Sequence, residues 1–517
     1  MRKKPVKPVK PVKTLYGVGA GGAARMYGAY GASHGRKSLA TWLSSGLGAD
    51  DDIVQNLPTL RSRSRDLFMG SPLATGVIKT VRTNVVGSGL TLNAHIDRKA
   101  LGLSEEEASA WEEAVEREFA LWGATPACDA SRSLNFYQLQ ALVCSNALLS
   151  GDCFVMLPSL AVPGSPYLTK IYVIESDRVC NPMDAAVGMD VLEGVEVGRY
   201  GEPVAYWIAK YHPFSHHYDV SKTGPQHWTR VPAFGAQTGL PMVLHVRSDF
   251  ERPGQRRGLP FLAPVIEALK QIERYTDAEL QAAVISGLFT GFITTSDGGG
   301  LQGGFPGLDD ETKEDDVHLG NGSMVRLATG EDVKFSTPGR PNVNFNGFVE
   351  SIAKQIGAAL ELPYELVVKK FDSSYSASRA ALLEAWKMFR MRRQWLADAF
   401  CQPVYEKWLS EAVLTGRVEV KDLWAFEHDP AVRRAYGACE WSGDAQGQLD
   451  PLKEANAAVV RIQHGLSTRQ YEAAALNGMS VEQIDPQLKK EAASLADALG
   501  EMPEPDPPQP DEEEQDE

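Results

Sequence analysis

The chain has 517 residues, enough for two to four domains with sizeable cores, and its 43% apolar and 23% charged residues are those of a globular protein. No window approaches the roughly 18 to 20 consecutive apolar residues of a membrane helix, and no apolar stretch follows the basic N-terminus as a secretory signal requires, so a cytoplasmic chain without membrane contact is expected. A net charge of −15 argues against a tight nucleic-acid clamp, because such affinity comes largely from basic groups releasing phosphate counterions.

Residues 1–13, MRKKPVKPVKPVK, carry proline at every third position of the repeat and read as an extended basic arm. Residues 14–35 are rich in Gly and Ala and show no period. Residues 61–85 read as a helix interrupted at Gly70-Ser71-Pro72, followed by a strand after Gly87-Ser88-Gly89. Ser104 and Glu107 form a capping box for a helix reaching Trp122, with Trp111, Val115, Phe119 and Trp122 on one face. Another helix spans about 135–149 and ends at Ser150-Gly151. From Cys153 to about Val246 short β-rich runs (CFVML, TKIYVI, VAYWIAKY, MVLHV) alternate with Pro and Gly turns.

Pro264 opens a helix running to about Leu288, a rod of roughly 38 Å at about 1.5 Å per residue, with Val265, Ile266, Leu269, Ile272, Leu280, Val284 and Leu288 at helical spacing. Residues 291–342 hold a glycine-rich run, an acidic turn and the β-like SMVRLA and VKFS. Phe345, Phe348, Ile352, Ile356 and Leu360 then mark one buried helical face, closed by Pro363. A polar, serine-rich excursion at 362–377 follows, exposed, with Lys369 and Lys370. Ser376 or Ser378 is expected to cap the next helix, whose stripe Leu382, Trp386, Phe389, Leu396 and Phe400 continues past Pro403 to Val404 and Trp408. A polar loop held between two rigid helices is where function is usually placed. Residues 503–517 have the acidic, proline-containing composition of a disordered tail.

No catalytic constellation emerges, and neither a metal nor a cofactor is expected. GASHGRKS at 31–38 resembles a phosphate loop but carries Arg36 between Gly35 and Lys37, and no apolar strand precedes it. His212, His216, His217 and His227 fall in one loop, in no metal-ligand pattern, and read as ordinary loop histidines. Cys128, Cys144, Cys153, Cys180, Cys401 and Cys439 are scattered without a CxxC pair and read as reduced thiols.

The run LPYELVVKKFDSSYSASRAALLEAW resembles the most characteristic motif of the lambda-type bacteriophage portal proteins. Collinear matches are LRSRSRDLFMGSPLATGVIKTVRTNVVGSGL at 60–90, VLHVRSDFERPGQRRGLPFLAPVIEALKQIERYTDAELQAA at 243–283 and DPLKEANAAVVRIQHGLSTRQ at 450–470. The resemblance covers about residues 27–495. It implies an α+β portal fold: a flexible arm (1–35), a wing that is β-rich from about 153 (36–258), a stem helix (259–290) and a small α/β clip (291–342). A second stem helix (343–362), antiparallel to the first, leads to a tunnel loop (363–378), a long helix returning to the wing (379–445), a helical crown (446–498) and a disordered acidic tail (499–517).

The resemblance also implies a twelve-fold ring at one capsid vertex of the virion, assembled in the host cytoplasm, through which double-stranded DNA enters and leaves. Partners would be the terminase large subunit, major capsid and scaffolding proteins, and head-tail completion proteins. Lys369, Lys370, Phe371, Asp372, Ser373, Ser374 and Tyr375 would approach DNA, supported by Pro363, Tyr364 and Arg379. Gly303, Gly304 and Phe305 would offer a docking surface on the clip. The competing reading is a metal-dependent DNA-processing enzyme.

Overall fold

The computed structural model describes residues 37–38, 41–42, 46–182, 190–216, 227–287, 291–295, 331–335, 344–371, 374–445, 451–477 and 481–499. The chain divides into two compact units, 1–48 and 49–517, and all helices and strands among the described residues belong to the second. The basic arm, most of GASHGRKS, SMVRLA, the glycine-rich run with Gly303, Gly304 and Phe305, His217, Leu288, Asp372, Ser373 and the acidic tail lie outside the described residues.

Local sequence signals form as expected through the first part of this unit. Helices Leu57–Gly70 and Pro72–Val85 are separated by Ser71, which is extended (φ −95°, ψ 118°), because a residue before proline is driven out of the helical region. Ser104 and Glu107 close a reciprocal capping box on Glu105–Gly123, and Asn135 with Gln138 closes another on Phe136–Ser150. The four sheets among the described residues are antiparallel, so the fold is α+β. Asp152–Met156 is the middle strand between Tyr172–Ile174 and Val243–Arg247. Beside it lies a four-stranded sheet in sequence order: Val191–Leu192, Val195–Val197, Pro203–Ala209 and Trp228–Pro232. Phe154, Ile174, Val195, Tyr206, Ile208 and Val243 form a small core there.

The main core draws on both ends of the unit. Thr91–Ala94 pairs with Cys439–Ser442, Thr91 opposite Ser442, which brings the late chain back onto the early helices. Phe119 meets Phe136, Tyr405 and Trp408 edge-on, with centroids 5.3, 5.6 and 5.0 Å away, an arrangement that adds to simple apolar burial. Tyr405 and Trp408 belong to a continuous helical rod made of Tyr375–Leu396, a π segment Ala397–Cys401 and Gln402–Leu414. The widened turn has a cause in Pro403, which lacks an N–H and whose ring crowds the carbonyl four residues earlier. The Gln402 N–H bonds instead to the Ala397 carbonyl, five residues back. The stripe Phe389, Leu396, Phe400, Val404 and Trp408 is buried throughout.

Helices Ile266–Gly287 and Phe345–Ala359 form an antiparallel hairpin. Its base sets Ala263 and Pro264 near Ala359 and Leu360, while farther out Tyr275 stacks on Phe345 and meets Phe348 edge-on, at 5.5 and 4.7 Å. A ribbon continues it, Gly291–Thr295 pairing with Glu331–Phe335. Among the described residues, the apolar stripes expected on both helices are best covered near the base. Leu269, Ile272, Ile356 and Leu360 are buried, but Leu280, Val284 and Phe348 are 64%, 60% and 48% exposed. Period identifies a face, and a single chain supplies a partner for only part of it. Three further helices come after, Pro451–Gln463, Arg469–Asn477 and Val481–Leu499, the first two joined by a forked Arg461–Glu472 pair at 2.7 and 2.6 Å. Among the described residues no helix is long and apolar enough to cross a membrane.

Candidate functional site: an exposed lysine turn and the buried base of the hairpin

The polar excursion is shorter and more structured than its composition indicates. Helix Phe345–Ala359 closes when the Leu362 N–H returns 2.8 Å to the Gly357 carbonyl, with Glu361 at φ +56° between them. Gly357 is required at this crossing, since a Cβ there would lie 2.4 Å from the Leu362 oxygen. Pro363 then starts a short helix, Tyr364–Val368, that sends Val367 into the core. Leu362 and Val367 are thus buried, contrary to an exposed loop beginning at 362, because the segment returns to the apolar groove beneath it.

Lys369 ends the short helix in the left-handed region (φ +55°), its N–H bonded to the Glu365 carbonyl. Lys369, Lys370 and Phe371 are exposed, Phe371 by 52%. The following helix is capped by Ser374, not by Ser376 or Ser378, and begins at Tyr375. The Ser374 hydroxyl accepts from the Ala377 N–H at 3.4 Å, so the first turn forms earlier than the serine spacing implies. Of the expected supports, Pro363 and Tyr364 flank the turn, and the Lys354 ammonium lies 5.5 Å from the Tyr364 ring centre. Arg379 instead pairs with Glu454 at 3.5 Å, tying the long helix to helix Pro451–Gln463.

Beneath the hairpin lies a polar cluster that sequence reasoning missed. Asp152 is fully buried at the start of the middle strand and accepts from Arg257 Nε (2.7 Å) and Nη2 (3.0 Å), Arg61 Nη2 (2.9 Å) and the Gly258 N–H (3.1 Å). His245 Nε2 is 3.2 Å away. Arg257 also donates to the carbonyls of Ser176, Val179 and Glu193, at 2.9, 2.8 and 2.7 Å. Burial alone would raise the Asp152 pKa, but Arg257 and Arg61 hold it well below the usual carboxylate range. Burial pushes His245 down to about 4, so the ring is neutral at pH 7. Burial also lowers Arg61, to about 10, leaving it charged. Gly151 and Gly258 cross so closely that a Cβ on Gly258 would stand 1.9 Å from the Gly151 oxygen. The cluster therefore clamps the segment that leads directly into Ile266–Gly287. The isolated Asp152 within an apolar strand was the available signal; its partners are remote in sequence.

The described loop histidines, His212, His216 and His227, do not converge. His212 Nε2 lies 3.4 Å from Asp177 and 3.8 Å from Glu175, His216 is exposed, and the His227 ring faces Tyr211 at 6.4 Å. Glu175, Asp177 and His212 have donor atoms close enough to hold a cation. Arg65 already pairs with both carboxylates, and Arg61 lies 3.5 Å from Asp177, so guanidinium charge opposes a divalent ion there.

The lambda-family phage portal protein model matches residues 35–393, and the chain belongs to that family. It is 24% identical over 486 residues to portal protein B of Escherichia phage lambda, covering 88% of each chain. It is 23% identical over 483 residues to the portal protein of Escherichia phage N15, covering 88% of this chain and 89% of that one. Among solved structures it is similar to a chain in the neck of an empty gene transfer agent particle, at 16% identity and TM-score 0.45, covering 86% of this chain and 98% of that one.

Proposed function

We propose that the protein is a portal subunit that closes into a ring of about twelve copies at one capsid vertex, the channel for double-stranded DNA during packaging and ejection. Family membership over residues 35–393, with a lysine-bearing turn exposed between firmly seated helices, carries this reading. In a closed ring each copy sets one face against a different face of the next, and closure prevents filaments. The bare outer faces at Leu280, Val284 and Phe348 suit such contacts.

In this reading the hairpin is the stem and the ribbon beyond it part of the clip, where the terminase large subunit and later the head-tail completion proteins dock. Residues 303–305 are the docking candidates within that clip. The helices after 450 form the crown, and the outer surface meets capsid and scaffolding proteins. Lys369 and Lys370, with the 371–375 segment, ring the narrowest part of the channel. A mostly acidic protein with few lysines at that point would hold DNA weakly enough for it to slide. Native mass spectrometry with negative-stain imaging tests the ring: about twelve 56.4 kDa chains around a central hole are expected. A stable monomer that cleaves DNA with magnesium would instead establish the enzyme reading. Lys369→Ala/Lys370→Ala is expected to leave rings intact and alter the length of DNA packaged or retained; unchanged packaging removes the lysines from this role.

A further inference from the structure

The last three helices, Pro451–Gln463, Arg469–Asn477 and Val481–Leu499, are tied together by charge where the rest of the chain uses a core. Among the described residues, none beyond Trp441 belongs to the main core. Within these helices Ala458 and Glu472 are the buried residues among those described, and Glu472 serves as the ion-pair partner of Arg461. Arg469 joins the second helix to the third through Asp485 at 2.6 Å, and Arg379 joins the first to the long helix through Glu454 at 3.5 Å. Ion pairs that solvent reaches contribute little to stability.

The large apolar side chains of this region are bare. Leu452 is 73% exposed, Val459 49% and Leu466 77%. Leu452, Ala455, Val459, Ile462 and Leu466 recur at steps of three, four, three and four, so the first helix and the turn after it carry one continuous apolar seam. A helix this short draws most of its stability from the surface it packs against, and its own chain covers little of the seam. Seams of this spacing take another helix, because side chains three and four apart lock between those of a facing helix.

The third helix offers a second bare face of the same chemistry, Leu488 with Ala492 one turn on, both exposed. A two-fold pair would use one face twice. A closed ring sets one face of each subunit against a different face of its neighbour, and this small unit presents two. We infer that the seam at 452–466 of one copy packs on the 488–492 face of the next copy, so that residues 451–499 reach full stability only in the assembled ring. The inference rests on the ring reading. The main core folds within one copy, and the last three helices complete theirs with a neighbour's.

The test uses rings of the full-length chain. Val459→Cys subunits are mixed with Leu488→Cys subunits, assembled and joined by a short bis-maleimide, and linked peptides are mapped by mass spectrometry. Links between positions 459 and 488 are expected, and since the two cysteines sit on different chains they report contact between copies. Links of 459 to 459 in their place, or no link to 488, overturn the inference. Hydrogen–deuterium exchange then compares wild-type rings with Val459→Asp rings. Amides of Pro451–Gln463 should exchange about tenfold faster in the variant, the factor that burying one valine supplies, with Leu57–Gly70 unchanged as the internal control. Rings in which Pro451–Gln463 exchanges equally fast in both leave the seam to a protein of another kind and overturn the inference while the ring reading stands. Failure of the wild type to form rings is a different result, which overturns both.

Discussion

The Asp152 cluster and the Lys369 turn are both charged, and they are built in opposite ways. Asp152, Arg61 and Arg257 are buried with the His245 side chain against them, and the two arginines each spread their donors over several acceptors. Lys369, Lys370 and Phe371 are exposed on a turn shaped by Gly357, Pro363 and Val367 beneath it. In the first region charge fixes backbone segments relative to one another; in the second, packing fixes the backbone so that charge can face outward. Precision at the turn is therefore set at the base of the hairpin, away from the lysines.

The largest effect should come from Asp152→Asn, which leaves two buried guanidinium groups facing a neutral amide. Removing one partner of a buried ion pair typically costs about 3–5 kcal/mol, so urea unfolding should shift by that order; a change below about 1 kcal/mol would mean that water reaches the cluster. Next in size is the acid response of His245. The unfolded chain takes up a proton below about pH 6.5, whereas the folded site refuses it until about pH 4. Stability should fall by roughly 3 kcal/mol as pH drops through that window, and His245→Gln should flatten this part of the profile. Asp152 adds a loss that begins as the pH falls to the usual carboxylate value, where the unfolded chain takes up its proton, and continues down to the depressed folded value.

Gly357→Ala should cost about 1–3 kcal/mol, because the new methyl meets the Leu362 carbonyl, and it should also change proteolysis at residues 369–374. Unchanged cleavage would separate the turn from its support. Ser374→Ala should cost about 1 kcal/mol in thermal unfolding through the lost cap, against almost nothing for Ser376→Ala. The smallest stability effect, within about 0.5 kcal/mol, is expected for Lys369→Ala/Lys370→Ala. A larger change would show that those side chains hold the fold and blur the contrast between the two regions.

Much of the helical framework was legible locally. The Ser104–Glu107 box, the break at Ser71-Pro72 and the stripe from Phe389 to Trp408 depend on neighbours within one or two turns, which sequence displays directly. The lysine turn was legible as polar residues between two periodic runs. Its true cap was not, because Ser374, Ser376 and Ser378 offer the same hydroxyl and the entry angle of the chain chooses among them. The exposed Leu280 and Val284 show the same limit for burial, since spacing marks a face without naming what covers it.

The sequence by itself determined the family, the α+β character and the approximate bounds of most helices, because periodicity, caps and turn residues act over short distances. Only the tertiary structure decided that Asp152 gathers Arg61, Arg257 and His245 and that Val367 turns inward two residues before Lys369. Each is a meeting of segments far apart in the chain, and the desolvation and pairing that make such meetings favourable exist only once folding has brought those segments together.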